Sequence, residues 1–169
     1  MPRTSADARP KILEAAGMVI RRDGALALTL EAVAKEAGVS KGGLLYHFPN
    51  KDALLGGLLE FYLDDFEQSL EHSGLPFAEA YVRLGSHDGS GGLLLGMMTV
   101  LALNPSLLET VRERWQRWYG RIPQHPDTVV AMLATDGIFM ADILKLGTPE
   151  PALRQKTLRR MLELAQGGA

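Results

Sequence analysis

Thr29–Lys51 reads TLEAVAKEAGVSKGGLLYHFPNK, and its punctuation decides the fold. Thr29 is a good N-cap, because its side-chain oxygen can take up a free backbone N–H at a helix start. Leu30, Val33, Ala34 and Ala37 recur at helical spacing and predict a helix over Leu30–Ala37. Glu31 falls in its first turn, where the helix dipole favours an acid. Gly38 ends it, since glycine takes the left-handed conformation cheaply. Val39 plugs the core, Ser40 caps a third helix over Lys41–His47, and Phe48-Pro49-Asn50 breaks that helix. A small residue where two helices cross (Ala34), a glycine in the turn and an apolar plug make a helix-turn-helix. Its second helix projects outward, as one that enters a DNA major groove must.

The composition of that second helix supports the same reading. Gly42 and Gly43 cost about 1 kcal/mol each against alanine within a helix, which a short helix does not accept for stability. Positions without side chains do let a backbone come close to a duplex. Tyr46 and His47 combine an aromatic body with a hydrogen-bonding tip suited to phosphate, and Lys41 and Lys51 add charge. Of Leu44 and Leu45, one is core; Phe48 reads as a core anchor, and Tyr46 as either phosphate-facing or half-buried.

Outward from this segment, Ile12, Ala16, Val19 and Ile20 place a first helix over about Asp7–Arg22, with Pro10 tolerated in its first turn and Asp23-Gly24 as its stop. Asn50 can cap a long fourth helix carrying Leu54, Leu55, Leu58, Leu59, Tyr62, Leu63 and Phe66. Further helices are predicted over Pro76–Leu84, Leu93–Leu103, Ser106–Arg121, Asp127–Leu146 and from Thr148-Pro149-Glu150 to about Leu164, with Gly85–Gly92 as a flexible-looking stretch. No strand-like alternation or internal repeat is present. The expected fold is all-α: a three-helix DNA-binding domain over residues 1–50 and a helical effector-binding and dimerisation domain over residues 51–169.

GVSKGGLLYHFPNKDALL, set after a first helix, strongly resembles the recognition helix and fourth-helix start of the TetR/AcrR-type family of bacterial repressors. The resemblance covers residues 9–60. It implies a homodimer, a palindromic double-stranded DNA operator, and a ligand cavity in the C-terminal domain. Carried over residue by residue, it sets Thr29, Ser40, Lys41, Gly42, Gly43, Tyr46, His47 and Lys51 at DNA-facing positions, with Leu44 counted on the same face. The C-terminal part is short for the family, and Gly85–Gly92 stands where helix might have continued.

The bulk properties fit. The chain has 169 residues, 46% of them hydrophobic and 22% charged, enough for a sizeable core without staples. Having no cysteine, it can form no disulfide or thiolate zinc site, and no Cys nucleophile exists. No signal-peptide core and no apolar run long enough for a membrane span is seen, so a cytoplasmic location is expected, with no membrane partner. Net charge is −2, but residues 1–51 carry eight Lys and Arg against five Asp and Glu, and the remainder ten against fifteen. A mildly basic head on an acidic body suits a protein whose head alone meets phosphate.

In the body, Leu94, Met97, Met98 and Leu101 form one stripe and Leu108, Val111, Trp115, Trp118 and Ile122 another, while Arg112, Arg114, Arg117 and Arg121 read as solvated surface. Val129, Met132, Phe139, Met140 and Ile143 make a stripe interrupted by Asp136. A carboxylate there is costly unless it is paired, hydrogen-bonded or at the stripe's edge. It reads either as a recognition group for a bound cation or as a group with a structural partner. The expected effector lining is Tyr62, Phe66, Met97, Met98, Trp115, Met132, Asp136 and Met140, which favours a lipophilic or aromatic small molecule over a sugar or a phosphate. This family dimerises through its final two helices, which sets Ile138, Ile143, Leu144, Leu153, Leu158, Met161 and Leu162 at the expected dimer interface. No cofactor, metal or catalytic residue is expected. Gly89-Ser90-Gly91-Gly92 lacks the GxSxG spacing, no phosphate-binding glycine motif follows a strand, and His87-Asp88 has no HExxH-like companion. The alternatives are a DNA-binding regulator or adaptor without an effector, and an enzyme.

Overall fold

The computed structural model describes residues 8–86, 98, 101, 104–147 and 149–167. Among them it has eight α-helices: α1 Ala8–Asp23, α2 Leu30–Ala37, α3 Lys41–His47, α4 Lys51–His72, α5 Phe77–Gly85, α6 Leu107–Tyr119, α7 Pro126–Leu144 and α8 Pro151–Gln166. The helix expected over Leu93–Leu103 and the Gly85–Gly92 stretch lie almost wholly outside the described residues. No described helix is long and apolar enough to cross a membrane.

The helix ends follow from local hydrogen bonds. Thr29 Oγ1 accepts the Ala32 N–H at 3.1 Å, Ser40 Oγ accepts that of Gly43 at 3.0 Å, and Asn50 Oδ1 accepts that of Ala53 at 2.8 Å. Gly38 closes α2 at φ 65°, a left-handed conformation that costs an L side chain dearly. One start differs from expectation. α7 begins at Pro126, and His125 Nδ1 rather than the Asp127 side chain takes the first free N–H, at 3.3 Å. Proline fits the first turn because its missing N–H is not needed there. The same helix stops at Leu144, two residues early, with Lys145 at φ 51°.

The chain divides into two compact units. Residues 1–64 and 92–110 make the first, 65–91 and 111–169 the second, so the division falls inside α4 and again inside α6. In the first unit α1 packs on α2, and α2 on α3. Ile12, Leu13, Ala16, Val19 and Ile20 of α1, Val33 of α2 and Leu44 of α3 form its core with Leu28 and Phe48. α4 lies against α1 closely enough that a Cβ on Gly17 would sit 2.2 Å from the Tyr62 hydroxyl. In the second unit α5, α7 and α8 pack on one another around Ala80, Val82, Ala131, Met132 and Thr135. Arg154 joins α8 to α7 through both carboxylate oxygens of Asp142, at 2.8 and 2.6 Å.

Candidate DNA interface and effector site

The first unit presents most of the expected DNA-facing residues on one short helix and its caps. Ser40, Lys41, Gly42 and Gly43 are exposed, as are Thr29 and Lys51; His47 is half-buried. Tyr46 is 79% exposed and stacks edge-on with His47, ring centroids 5.1 Å apart. Among the described residues nothing beyond its neighbours and its own helix backbone lies within 4 Å of a Cβ built on Gly42, so tertiary packing there does not demand a glycine. The cap hydroxyls of Thr29 and Ser40 accept backbone N–H groups, and a hydroxyl so engaged keeps its own proton to donate to a phosphate oxygen. Lys41 Nζ pairs with Glu31 Oε1 across the turn at 2.5 Å.

Leu44 is a correction. It has no accessible surface and anchors α3 to the core, while Leu45 is half-buried. A seven-residue helix with glycine at its second and third positions has little else to hold it, so the leucine that could face DNA faces inward. Tyr46, being outside the core, yields a clear expectation. Tyr46→Phe should weaken duplex binding in fluorescence anisotropy with no loss of melting temperature. A sharp fall in melting temperature would return Tyr46 to the fold.

The second unit builds an aromatic cluster around a carboxylate. Tyr81 of α5 donates its hydroxyl to Asp136 Oδ1 at 2.6 Å, and Trp115 of α6 donates its indole N–H to Oδ2 at 3.3 Å. Phe66 of α4 meets Tyr81 and Trp118 edge-on at 5.7 and 5.4 Å, and Trp115 and Trp118 lie 4.8 Å apart. Tyr119, its hydroxyl buried outside ordinary hydrogen-bonding geometry, adds to the same surroundings. Burial pushes the Asp136 carboxyl above the ordinary aspartate value, against the pull of these hydrogen bonds, and burial beside that carboxylate pushes the Tyr81 phenol up. Both donors are neutral. Among the described residues no cation pairs with Asp136.

Of the expected effector lining, the second unit therefore brings Phe66, Trp115 and Asp136 into one cluster. Met132 is fully buried and Met140 half-buried; Met98 lies at the surface, Met97 is outside the described residues, and Tyr62 belongs to the first unit, its hydroxyl over Gly17 of α1. Tyr62 is in this respect a contact of the α1–α4 crossing. Sequence reasoning missed Tyr81 and Tyr119. A tyrosine within the apolar stripe of α5 was the available signal, but nothing in the sequence pairs it with Asp136. Arg114 is a further correction: it is buried and ion-paired with Glu67, while Arg121 reaches Glu67 and Glu71 at 3.5 and 3.4 Å and lies over the Phe77 ring at 4.3 Å. No group of His, Asp and Glu is placed to hold a metal ion among the described residues.

The residues expected at a dimer interface split in two. Ile143 and Met161 are each 3% exposed within the single chain, so they are core of the α5–α7–α8 unit rather than free surface. Leu144 and Leu153 are 42% and 52% exposed, and Ile138, Leu158 and Leu162 are half-buried. Val130 and Leu133 of α7 add further exposed apolar side chains.

Residues 12–58 match a family model described as bacterial regulatory proteins, tetR family, and residues 75–166 one described as tetracyclin repressor-like, C-terminal domain. The nucleoid occlusion factor SlmA of Marinomonas sp. (strain MWYL1) is 38% identical over 55 residues, which is 32% of this chain and only 28% of that protein. Among solved structures, a TetR-family member (SCO1917) from Streptomyces coelicolor A3 is similar at a TM-score of 0.70 and 21% identity, over 92% of this chain and 98% of that one. A regulator from Haloarcula marismortui ATCC 43049 is similar at 0.69 and 18%, over 97% of each. The multidrug binding protein EbrR complexed with ethidium is similar at 0.64 and 21%, over 92% and 98%. At these identities the structural likenesses speak to the fold.

Proposed function

This chain belongs to the TetR family of bacterial regulatory proteins, and on that footing we propose that it is a dimeric, sequence-specific repressor released from DNA by a lipophilic, aromatic cation. It is a transcriptional regulator of a DNA-binding family, and we read it as a binding protein rather than an enzyme. The exposed faces of Ser40, Lys41, Gly42, Gly43 and Tyr46 in α3, with Thr29, His47 and Lys51 beside it, are the surface assigned to the duplex. Backbone phosphates position such a helix, and the groove-facing side chains read the bases.

The observation that carries the effector reading is Asp136. Among the described residues only neutral donors hold this carboxylate, amid Phe66, Tyr81, Trp115, Trp118 and Tyr119, so that no cation there offsets its charge once it is ionised. A bound organic cation would neutralise it while the rings stack on its flat faces and attract its charge. The EbrR structures with ethidium and malachite green, both aromatic cations, are those of a protein of the same fold. A sugar would need many more paired polar groups, and a phosphate would meet Asp136 with like charge.

Release requires that the ligand prefer a state that fits DNA poorly; equal affinity for both states would shift nothing. The test selects duplexes from a random pool with the full chain, then titrates cationic malachite green into the complex. A palindromic consensus and dye-driven release support the proposal; selection of no sequence, or unchanged binding at saturating dye, defeats it. The half-buried and exposed apolar side chains of α7 and α8 are assigned to the partner copy. Two-fold symmetry then sets the recognition helices about 34–36 Å apart, one duplex turn, or a multiple of it. Sedimentation at micromolar concentration should give a dimer, and a monomer there would remove the basis for a palindromic operator.

A further inference from the structure

Glu31 and Lys41 stand on different helices of the DNA-binding unit, yet Lys41 Nζ lies 2.5 Å from Glu31 Oε1. Both side chains are more than half exposed, so the pair contributes little to holding α2 against α3. That packing rests on Val33, Ala34, Ala37 and Leu44. The Lys41 hydrogen bond lowers the Glu31 carboxyl from its ordinary value, which favours the ionised acid. Glu31 follows Leu30 in the first turn of α2 and Lys41 opens α3, so both stand beside the caps Thr29 and Ser40 that the duplex is expected to meet. A carboxylate on a surface meant for phosphate opposes binding twice: it repels the backbone, and it occupies the one lysine at the head of the recognition helix. Among the described residues of this unit Arg22, at the end of α1, is also ion-paired, with Asp23 beside it and Glu36 of α2.

We propose that Glu31 is an internal stand-in for a DNA phosphate, which holds Lys41 in the free protein and must be displaced before Lys41 can reach the duplex. On binding, the ammonium exchanges one anionic oxygen for another, and the freed carboxylate is left to water. The net gain from Lys41 is thereby reduced, and operator affinity is set below what the basic residues alone would confer. In the free protein the side chain points from α3 back to α2. The inference rests on the DNA-facing assignment of Lys41.

The experiment is a double-mutant cycle on the full-length protein with Glu31→Gln and Lys41→Ala, separately and together. The probe is a fluorescent duplex that the wild-type protein selects from a random pool, titrated at several salt concentrations. Circular dichroism confirms that each variant folds. Lys41→Ala should weaken binding and lower the salt slope by about one. Glu31→Gln should tighten binding by about two- to fivefold, the scale of an exposed ion pair, with the gain shrinking as salt screens the pair. In the Lys41→Ala background the Glu31→Gln gain should largely vanish. An equal gain in both backgrounds would mean that Glu31 acts by general repulsion, and a loss on Glu31→Gln would mean that it positions Lys41 for DNA; either overturns the proposal while the DNA interface stands. If Lys41→Ala leaves affinity and salt slope unchanged, the DNA-facing assignment of Lys41 itself fails.

Discussion

Replacing Asp136 with asparagine is expected to reduce the affinity for an aromatic cation by roughly tenfold to a hundredfold, while a neutral ligand of the same shape is held as before. The magnitude is that of a hydrogen-bonded contact to a charged group, about 1.5–3 kcal/mol. 1-Methylquinolinium and 1-methylnaphthalene, flat isosteres that differ in charge, make a matched pair, and titration of both ligands against both proteins separates charge from shape. Asparagine keeps one oxygen for the Tyr81 or Trp115 donor, so the cluster is retained while the charge is removed. The pH dependence gives a second readout. Burial raises Asp136 above its ordinary value of 3.8, so cation affinity should climb as pH rises through that raised value and the carboxylate ionises. Affinity for the neutral isostere should stay flat. The stability of the unliganded protein is expected to follow the opposite trend. A group whose folded value is raised costs stability as pH rises from the unfolded value through the folded one, and a bound cation returns that stability. Equal losses for the two ligands, or a flat cation profile, would leave Asp136 as a structural acceptor for Tyr81 and Trp115.

Leu44→Ala is expected to release the recognition helix. Removing a fully buried leucine costs about 2–5 kcal/mol, the spread depending on how far the site can collapse, and Leu44 is the buried residue of α3. The loss is a large part of what a small unit has. Amides of α2 and α3 should lose hydrogen-exchange protection, and duplex binding should fall with them. Leu45→Ala, at a half-buried position, should cost less. If Leu44→Ala instead weakened DNA binding with exchange protection intact, Leu44 would be a contact with the duplex after all, as its place in the motif first indicates.

Two opposed pressures meet in this chain. Tyr81, Trp115 and Asp136 form a hydrogen-bonded group whose charge the fold tolerates without a cationic partner among the described residues. Lys41 is the reverse case, because Glu31 already pairs with it in the free protein. A bound cation would supply the charge missing at Asp136 and so tie binding to stability there, whereas at Lys41 a phosphate would only replace the charge that Glu31 already provides.

Helix ends were legible in the sequence because the interactions that set them are local. Thr29, Ser40 and Asn50 reach an N–H three residues ahead, and Gly38 needs only its own φ of 65°; no distant residue has a vote. The helix-turn-helix followed from these caps, from Ala34 at the crossing and from apolar spacing, so fold class and family could be read before any coordinates. Which of two adjacent leucines turns inward could not. Leu44 and Leu45 differ by about 100° around the helix axis, and only the packing of α1 and α2 under α3 selects Leu44. Nor could the partners of charged groups. Tyr81 lies 55 residues from Asp136, Glu67 lies 47 from Arg114, and Glu31 lies ten from Lys41. Periodicity shows that Asp136 interrupts an apolar stripe but not what meets it there. That depends on which helices share a neighbourhood, and it is set by burial of apolar surface along their whole lengths rather than by any one residue.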